Sequence, residues 1–203
     1  MKVLYVTDRT AAGDERLEAI LSSLAGAPKL SVQLREKGPP DREVLIWARR
    51  CREWLGPEVV LYVNRRFDIA MAAGADGVHL PADGLPIARL RANTPRGFRI
   101  GVSTHSPSEA RTAIAEGADL ILIGPIFQTP SKQAFGPPLS PEVLAELPPA
   151  SDHRGEVLAI GGVDEASLER LEPYRDRISG VAGIRLVQDA TDPRAVVERI
   201  SRR

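Results

Sequence analysis

Residues 30–54 read LSVQLREKGPPDREVLIWARRCREW and contain one complete pair of a strand and a helix. The apolar, β-rich run at 30–34 predicts a strand. Residues 41–54 carry apolar side chains at helical spacing, and we expect Asp41 to cap this helix at its amino end. A Gly-Pro-Pro turn precedes the helix. The stretch is therefore typical of one unit of an α/β fold.

The same alternation recurs on both sides of this stretch. Strands are predicted at residues 3–6, 30–34, 59–63, 77–80, 98–102, 120–123, 157–160 and 180–184. Further helices are predicted at 13–24 and from residues near 67, 86, 106, 140 and 192. Eight such units predict an α/β fold, a single (βα)8 TIM barrel with parallel strands. A doubly wound open sheet is the alternative, but no Gly-x-Gly-x-x-Gly turn follows the first strand.

Length and composition narrow the classes of protein. The 203 residues suit one domain, so we expect residues 1–203 to form a single TIM-barrel domain. Basic and acidic residues number 27 each, which predicts no nucleic-acid or membrane-surface partner. One cysteine, Cys51, predicts no disulfide framework, and no leader or membrane-spanning run is visible. We therefore expect a cytoplasmic protein, with its oligomeric state left open.

Two cations follow the second predicted strand. Gln33, Arg35 and Lys37 alternate along the chain and so share one side. A guanidinium fork beside an ammonium group suits an anion with several oxygens. The alternative is a solvated pair neutralised by Glu36. Asn64, at the end of the third strand, adds an amide that either binds the same ligand or serves a turn.

Polar residues also follow strands five and six. Ser103 and His105 come at the end of strand five, where His105 is either a proton carrier or a capping and packing residue. Thr129 and Lys132 lie in the loop 125–138, which is long for a barrel of this kind. We expect this loop to form an active-site lid that brings a hydroxyl and a cation to the ligand.

Glycines follow the last two strands. Gly161 and Gly162 come after strand seven, and Gly183 lies at the end of strand eight. Many barrels bind phosphate at these positions through backbone N–H groups, although glycine also serves any tight turn. A phosphate site is therefore predicted at this end of the strands.

Six segments in this order resemble the thiamine phosphate synthase family and its thiazole tautomerase relatives. They are YVTD at 5–8, QLREK at 33–37, ADGVHL at 75–80, GVSTH at 101–105, GPIFQTPSK at 124–132 and IGGV at 160–163. The resemblance implies a transferase of thiamine biosynthesis that joins hydroxymethylpyrimidine diphosphate to thiazole phosphate and releases pyrophosphate. Its partners would be these phosphorylated pyrimidine and thiazole small molecules.

The resemblance also implies roles for the residues at the strand ends. The diphosphate would be held by Arg35, Lys37, Asn64 and Lys132, and the pyrimidine would face Gln33 and Ser103. The thiazole phosphate would lie near Thr129 and the backbone of Gly161, Gly162 and Gly183. Arg35, Lys37 and Lys132 would be catalytic, because fixed cations stabilise the charge that grows on departing pyrophosphate.

Two positions depart from the family's pattern of Mg²⁺ ligands. The family has Asn-Asp at the end of strand three, where this chain has Asn64 and Arg65. Gly84 stands where the second aspartate belongs, and Asp83 comes one position early. Mg²⁺ is thus expected from the family with Asp83 as the candidate ligand, helped by Asp8 or by the diphosphate. The alternative is that Arg65 supplies the positive charge.

Two other functions are compatible with the resemblance. A thiazole tautomerase-like isomerase would not need the metal pair, but that group has a catalytic histidine where this chain has Pro125. His105 would then have to carry the proton. A non-catalytic binder of thiamine-related phosphates would retain the anion sites, and the altered Mg²⁺ positions favour it.

Overall fold

The protein is described by a computed structural model at residues 1–129 and 137–203, where eight parallel strands are hydrogen-bonded in chain order into a closed barrel. The strands are β1 (Lys2–Val6), β2 (Leu30–Leu34), β3 (Val60–Asn64), β4 (Gly77–Leu80), β5 (Arg99–Thr104), β6 (Leu120–Ile123), β7 (Glu156–Ile160) and β8 (Gly180–Gly183). The prediction of a (βα)8 barrel with parallel strands is confirmed, and the open sheet is excluded.

Helices follow the strands along the chain. They are α1 (Arg9–Ala12), α2 (Asp14–Ser23), α3 (Asp41–Leu55), α4 (Phe67–Ala72), α5 (Ile87–Arg91), α6 (Pro107–Ala115), α7 (Arg185–Gln188) and α8 (Pro193–Ser201), with 3₁₀ segments at Pro141–Glu146, Ala150–Asp152 and Ser167–Tyr174. In the described ranges, no helix combines the length and the apolar character that a membrane span requires.

Two details of the helix predictions are wrong. Pro40 occupies the cap position of α3, and Asp41 is the first helical residue, where its charge still suits the positive end of the helix dipole. The helix predicted from about residue 140 is the 3₁₀ segment Pro141–Glu146. The prolines at 148–149 leave too few residues there for a stable α-helix.

The backbone groups into two compact units. The first comprises Met1–His79 and Ile184–Arg203, and the second comprises Leu80–Gly183. In the first unit the pairing sets Asn64 opposite His79. In the second it sets Thr104 opposite Ile123. The expectation of one domain over residues 1–203 stays a prediction.

The apolar runs of the sequence are the buried strands of each unit. All four residues of β4 are buried, as are all four of β6. Strands of a parallel barrel are covered on both faces, so their sequences read as continuous apolar runs. The predicted bounds of β4 and β6, and also those of β2, agree with the structure.

An aspartate forms hydrogen bonds between neighbouring elements at the amino end of the strands in the second unit. Asp119 precedes β6, and its Oδ2 accepts from the backbone N of Ile100 at 2.7 Å and from Nη2 of Arg91 at 2.7 Å. Nη1 of Arg91 donates to the carbonyl of Phe98 at 2.7 Å. One carboxylate and one guanidinium therefore connect β5, β6 and α5.

The first unit repeats this arrangement. Asp76 precedes β4, and its Oδ2 accepts from the backbone N of Leu61 at 2.7 Å and from Nη1 of Arg52 at 2.9 Å. Nη2 of Arg52 donates to the carbonyl of Val59 at 2.5 Å. Both carboxylates lie at the amino ends of the strands. In barrels of this kind, that end contributes to stability and the other end carries the active site.

His79 is a buried titratable group within β4. Its side chain is 1% exposed, and burial lowers its pKa from 6.5 to about 3. The imidazole is therefore neutral at physiological pH and belongs to the packed interior.

We predict that Asp119→Ala lowers the free energy of unfolding by about 1–3 kcal/mol, because the amide of Ile100 and the guanidinium of Arg91 lose their acceptor. Urea denaturation measures this. The control is Glu18→Ala on the exposed side of α2, which should change stability by less than about 0.5 kcal/mol. Equal losses in both variants would contradict the role of the carboxylate.

We also predict that burial of His79 makes the fold sensitive to acid. The unfolded chain binds a proton at this residue below about pH 6.5, and the native chain does so only near pH 3. The free energy of unfolding should therefore fall as the pH drops through this window, by up to about 1.4 kcal/mol per pH unit. Urea titrations at several pH values should show a smaller slope for His79→Gln. An unchanged slope would exclude this origin.

Candidate active site

The carboxyl ends of β2 and β3 bring two of the predicted site residues together. The Gln33 side chain is 3% exposed, and its Nε2 donates to Oδ1 of Asn64 at 3.0 Å. The Gln33 carbonyl accepts from the backbone N of Thr7 at 3.0 Å, which ties the same segment to β1. Among described residues the Asn64 NH₂ group makes no hydrogen bond. Its two donors remain available to a ligand.

Arg35 and Lys37 follow directly on the same segment. The backbone N of Arg35 donates to Oγ1 of Thr7 at 3.0 Å, and Thr7 is fully buried. Within residues 1–129 and 137–203, neither the Arg35 guanidinium nor the Lys37 ammonium forms an ion pair. Glu36 pairs with Arg9 instead. The interpretation of these cations as a pair neutralised by Glu36 is therefore wrong.

Arg9 is the cation that Glu36 does use. Its Nε lies 2.9 Å from Oε2 of Glu36, its Nη2 lies 2.6 Å from Oε1 of Glu43, and its Nη1 lies 3.1 Å from Oδ1 of Asp14. Its Cζ lies 4.9 Å from the centre of the Trp47 ring. Burial works to lower the pKa of Arg9, but the hydrogen bonds to the three carboxylates outweigh it and raise that pKa. The guanidinium is charged at every accessible pH.

A buried amide fixes the turn that carries Arg9. Oε1 of Gln188 accepts from the Tyr5 hydroxyl at 2.9 Å and from the backbone N of Asp8 at 3.1 Å. Nε2 of Gln188 donates to the Asp8 carbonyl at 3.1 Å. The Asp8 carboxylate in turn caps α1 by accepting from the backbone N of Ala11. The turn after β1 is therefore held on both sides.

Arg9 and Gln188 are site residues that sequence reasoning missed. A signal existed for Arg9, because it comes two residues after Thr7 and thus close to the carboxyl end of a predicted strand. Gln188 lies 180 residues from Asp8 along the chain, and no local pattern connects them.

The second unit contains the polar residues that follow β5. Ser103 is half-buried. Nδ1 of His105 lies 2.8 Å from the Gly124 carbonyl, and since a carbonyl only accepts, Nδ1 carries the proton. The backbone N of His105 donates to Glu109 at 2.7 Å. The Glu109 contact supports the capping role, whereas the Nδ1 contact leaves Nε2 as the nitrogen without a proton, so the proton-carrier role of His105 stays a prediction.

The glycines after β7 lie against the segment after β6. Gly161 has φ 95°, and a Cβ there would lie 2.5 Å from Cβ of Pro125. Gly162 has φ 64°, and a Cβ there would overlap the Gln128 carbonyl. The Gly161 carbonyl accepts from the backbone N of Phe127 at 2.9 Å. Only glycine fits both the backbone angle and the space at these two positions.

The other predicted site residues that follow β6 and β8 are Thr129, Lys132 and Gly183. Thr129 is 8% exposed and follows the residue that Gly162 approaches. Gly183 is half-buried at the end of β8. Lys132 and half of the predicted lid fall on residues 130–136, which lie outside the described residues.

The described residues do not fit the magnesium site that the family likeness implies. Nowhere in residues 1–129 and 137–203 do three His, Cys, Asp or Glu side chains group as metal ligands. Asp83 lies exposed in the turn after β4. A Cβ at Gly84 would lie 2.9 Å from the Pro81 carbonyl, so an aspartate there would need a different turn. Arg65 is exposed, with φ 64°.

Comparisons with known proteins identify the family of this chain. The family model described as thiamine monophosphate synthase matches residues 3–187. A thiamine-phosphate synthase of Methanoculleus marisnigri is 41% identical over 167 residues, covering 81% of this chain and 78% of that protein. One of Roseiflexus sp. (strain RS-1) is 35% identical over 199 residues, covering 98% of this chain and 83% of that protein.

Solved structures give the same result. The thiamine phosphate pyrophosphorylase of Pyrococcus furiosus superposes with a TM-score of 0.80 at 27% identity, over 99% of this chain and 94% of that chain. A 3-hexulose-6-phosphate synthase, with a TM-score of 0.67 and 18% identity over 98% of each chain, shares the fold. The chain therefore belongs to the thiamine monophosphate synthase family, whose members are transferases of thiamine biosynthesis.

Proposed function

We propose that this protein joins hydroxymethylpyrimidine diphosphate to thiazole phosphate and releases pyrophosphate. The observation that carries the proposal is the group formed by Arg35, Lys37 and Asn64, called the diphosphate subsite below. Arg35 and Lys37 follow β2 and form no ion pair among described residues. Asn64 ends β3, and no described residue accepts from its NH₂ group, which has two donors. This set suits an anion with several oxygens.

The chemistry required of these residues is electrostatic. Bond cleavage leaves both electrons on pyrophosphate and positive character on the pyrimidine. Positive groups at the diphosphate subsite stabilise the departing anion. The backbone that carries Arg35 is tied to Thr7 by hydrogen bonds. Gln33, whose side chain donates to Asn64, would orient the pyrimidine. The pyrimidine contact of Ser103 stays a prediction from the sequence. No covalent nucleophile is needed.

A second anion subsite is proposed in the second unit. Gly161, Gly162 and Gly183 would hold the thiazole phosphate with their backbone, and Thr129 would add a hydroxyl. The support is the close packing of Gly161 and Gly162 on the segment after β6, which fixes their backbone direction. Lys132, which the resemblance assigns to the diphosphate, lies outside the described residues, and its role stays a prediction from the sequence.

No step is assigned to Mg²⁺. Asp83 stays the candidate ligand from the sequence, and among the described residues it belongs to no group of three His, Cys, Asp or Glu side chains that could hold a metal ion. We propose that Arg35, Lys37 and the exposed Arg65 provide the positive charge at this end of the strands. We also propose a cytoplasmic location, in keeping with the thiol of Cys51, which is buried and whose pKa burial raises to about 12.

A non-catalytic binder of thiamine-related phosphates is the second candidate. The specific observation in its favour is the pair Arg65 and Gly84 at the two family metal positions. The tautomerase candidate has less support, because Pro125 stands where that group has its catalytic histidine.

The decisive experiment incubates the purified protein with both phosphorylated substrates, once with Mg²⁺ and once with EDTA, and measures thiamine phosphate and pyrophosphate. We expect both products in both conditions. No product in either condition would refute the synthase reaction, and saturable binding of the substrates without turnover would establish the binder. Product with Mg²⁺ alone would refute metal-independent turnover. Isomerisation of the thiazole carboxylate phosphate, followed by NMR, would identify a tautomerase.

We further predict that Lys37→Ala weakens binding of the pyrimidine diphosphate about tenfold or more, because one charged contact contributes roughly 1.5–3 kcal/mol. The affinity for thiazole phosphate should change little. The matched control is Arg96→Ala, which removes an exposed cation near the amino end of β5. Steady-state kinetics with each substrate varied in turn measures both effects, and equal losses for the two substrates would contradict the placement of Lys37.

A further inference from the structure

Glu36 is a buried carboxylate set between two ligand-binding cations. It lies between Arg35 and Lys37 in the chain, and its side chain is only 5% exposed. Its Oε2 accepts from Nε of Arg9 at 2.9 Å, whereas its Oε1 makes no hydrogen bond among described residues. A buried charge with one partner depends strongly on that partner.

Arg9 also forms ion pairs with Glu43 and Asp14, but these two carboxylates depend less on the ion pair than Glu36 does. The side chains of Glu43 and Asp14 are 44% and 65% exposed, so water solvates both carboxylates. Only Glu36 would be left as a buried charge without Arg9. The energetic centre of this cluster is therefore the pair formed by Arg9 and Glu36.

The position of Arg9 is set independently of any ligand. Gln188 holds the backbone of Asp8, and the ring of Trp47 lies 4.9 Å from Cζ of Arg9. The guanidinium is therefore in place before an anion arrives. Preorganised charge of this kind is effective because no rearrangement accompanies binding.

The consequence concerns the neighbouring cations. Residues 35–37 follow the end of β2, and Glu36 pairs with Arg9 and not with Arg35 or Lys37 beside it. Without Arg9, the Glu36 carboxylate would form an ion pair with the nearest cation, which is Arg35 or Lys37. Pairing with Arg35 or Lys37 would cancel a charge that the diphosphate subsite needs.

We propose that Arg9 is a positioning residue of the diphosphate subsite: its ion pair with Glu36 keeps that carboxylate away from Arg35 and Lys37. This inference rests on the proposed function of the two cations. Arg9 itself does not contact the diphosphate.

The test uses the full chain and inorganic pyrophosphate as the probe, with titration calorimetry for binding. Arg9→Met should weaken pyrophosphate binding about tenfold or more, and raise KM for the pyrimidine diphosphate by a similar factor. KM for thiazole phosphate should stay within about twofold. The double variant Arg9→Met with Glu36→Gln should bind pyrophosphate within about threefold of the wild type, because the released carboxylate is gone.

The rescue separates positioning from a merely structural role. A double variant that binds as weakly as Arg9→Met, or an Arg9→Met variant that binds like the wild type, would overturn the inference. Arg50→Met is the matched control: its Cζ lies 5.8 Å from the same Trp47 ring, and its binding should be unchanged. If Arg9→Met does not fold, Arg9→Lys replaces it, with intermediate binding and the same rescue expected.

The two proposals can fail separately. A wild-type protein that neither binds pyrophosphate nor forms thiamine phosphate overturns the proposed function, and the positioning role with it. A wild-type protein that binds pyrophosphate, with variants that bind it equally well, overturns the positioning role alone.

Discussion

The ion pair between Arg9 and Glu36 is the interaction on which the candidate site depends. It satisfies a carboxylate that is 95% withdrawn from solvent, since only 5% of the Glu36 side chain is exposed. It does so within a segment that also carries Arg35 and Lys37. A protein that collects cations for an anionic ligand must keep its own anions from neutralising them. Here an additional cation, which is not part of the diphosphate subsite, does this.

The same logic extends to the parts that hold Arg9. Gln188 is 3% exposed and uses both ends of its amide on Asp8, while it also accepts from Tyr5. Burial raises the pKa of the Tyr5 hydroxyl above its usual range, so this group remains a donor. Because these hydrogen bonds are buried, the backbone of the turn after β1 has few alternative conformations. The rigidity of the turn after β1 is what gives the guanidinium a fixed direction.

The sequence predicted those features that depend on neighbours along the chain. Strands such as β4 and β6 are apolar because both faces are covered, and the cap of α6 follows from Ser106 and Pro107. The features that the sequence did not predict depend on residues far apart in the chain, or on groups that compete for the same position or the same partner. Asp41 has the chemistry of a cap but yields that position to Pro40. Glu36 has two adjacent cations but pairs with one that lies 27 residues away.

The altered metal positions follow from the same competition between charges. In the family pattern, aspartates beside the diphosphate would need a divalent ion to offset them. This chain places Arg65 and Gly84 at those positions, and the turn at Gly84 leaves no room for a Cβ beside the Pro81 carbonyl. Removing two carboxylates lowers the negative charge that a cation must balance. The carboxylate between Arg35 and Lys37 is Glu36, and Arg9 already pairs with it. We propose that the diphosphate subsite, with these anions removed or paired, holds its ligand with protein cations, so that both departures from the family pattern belong to one change in charge balance.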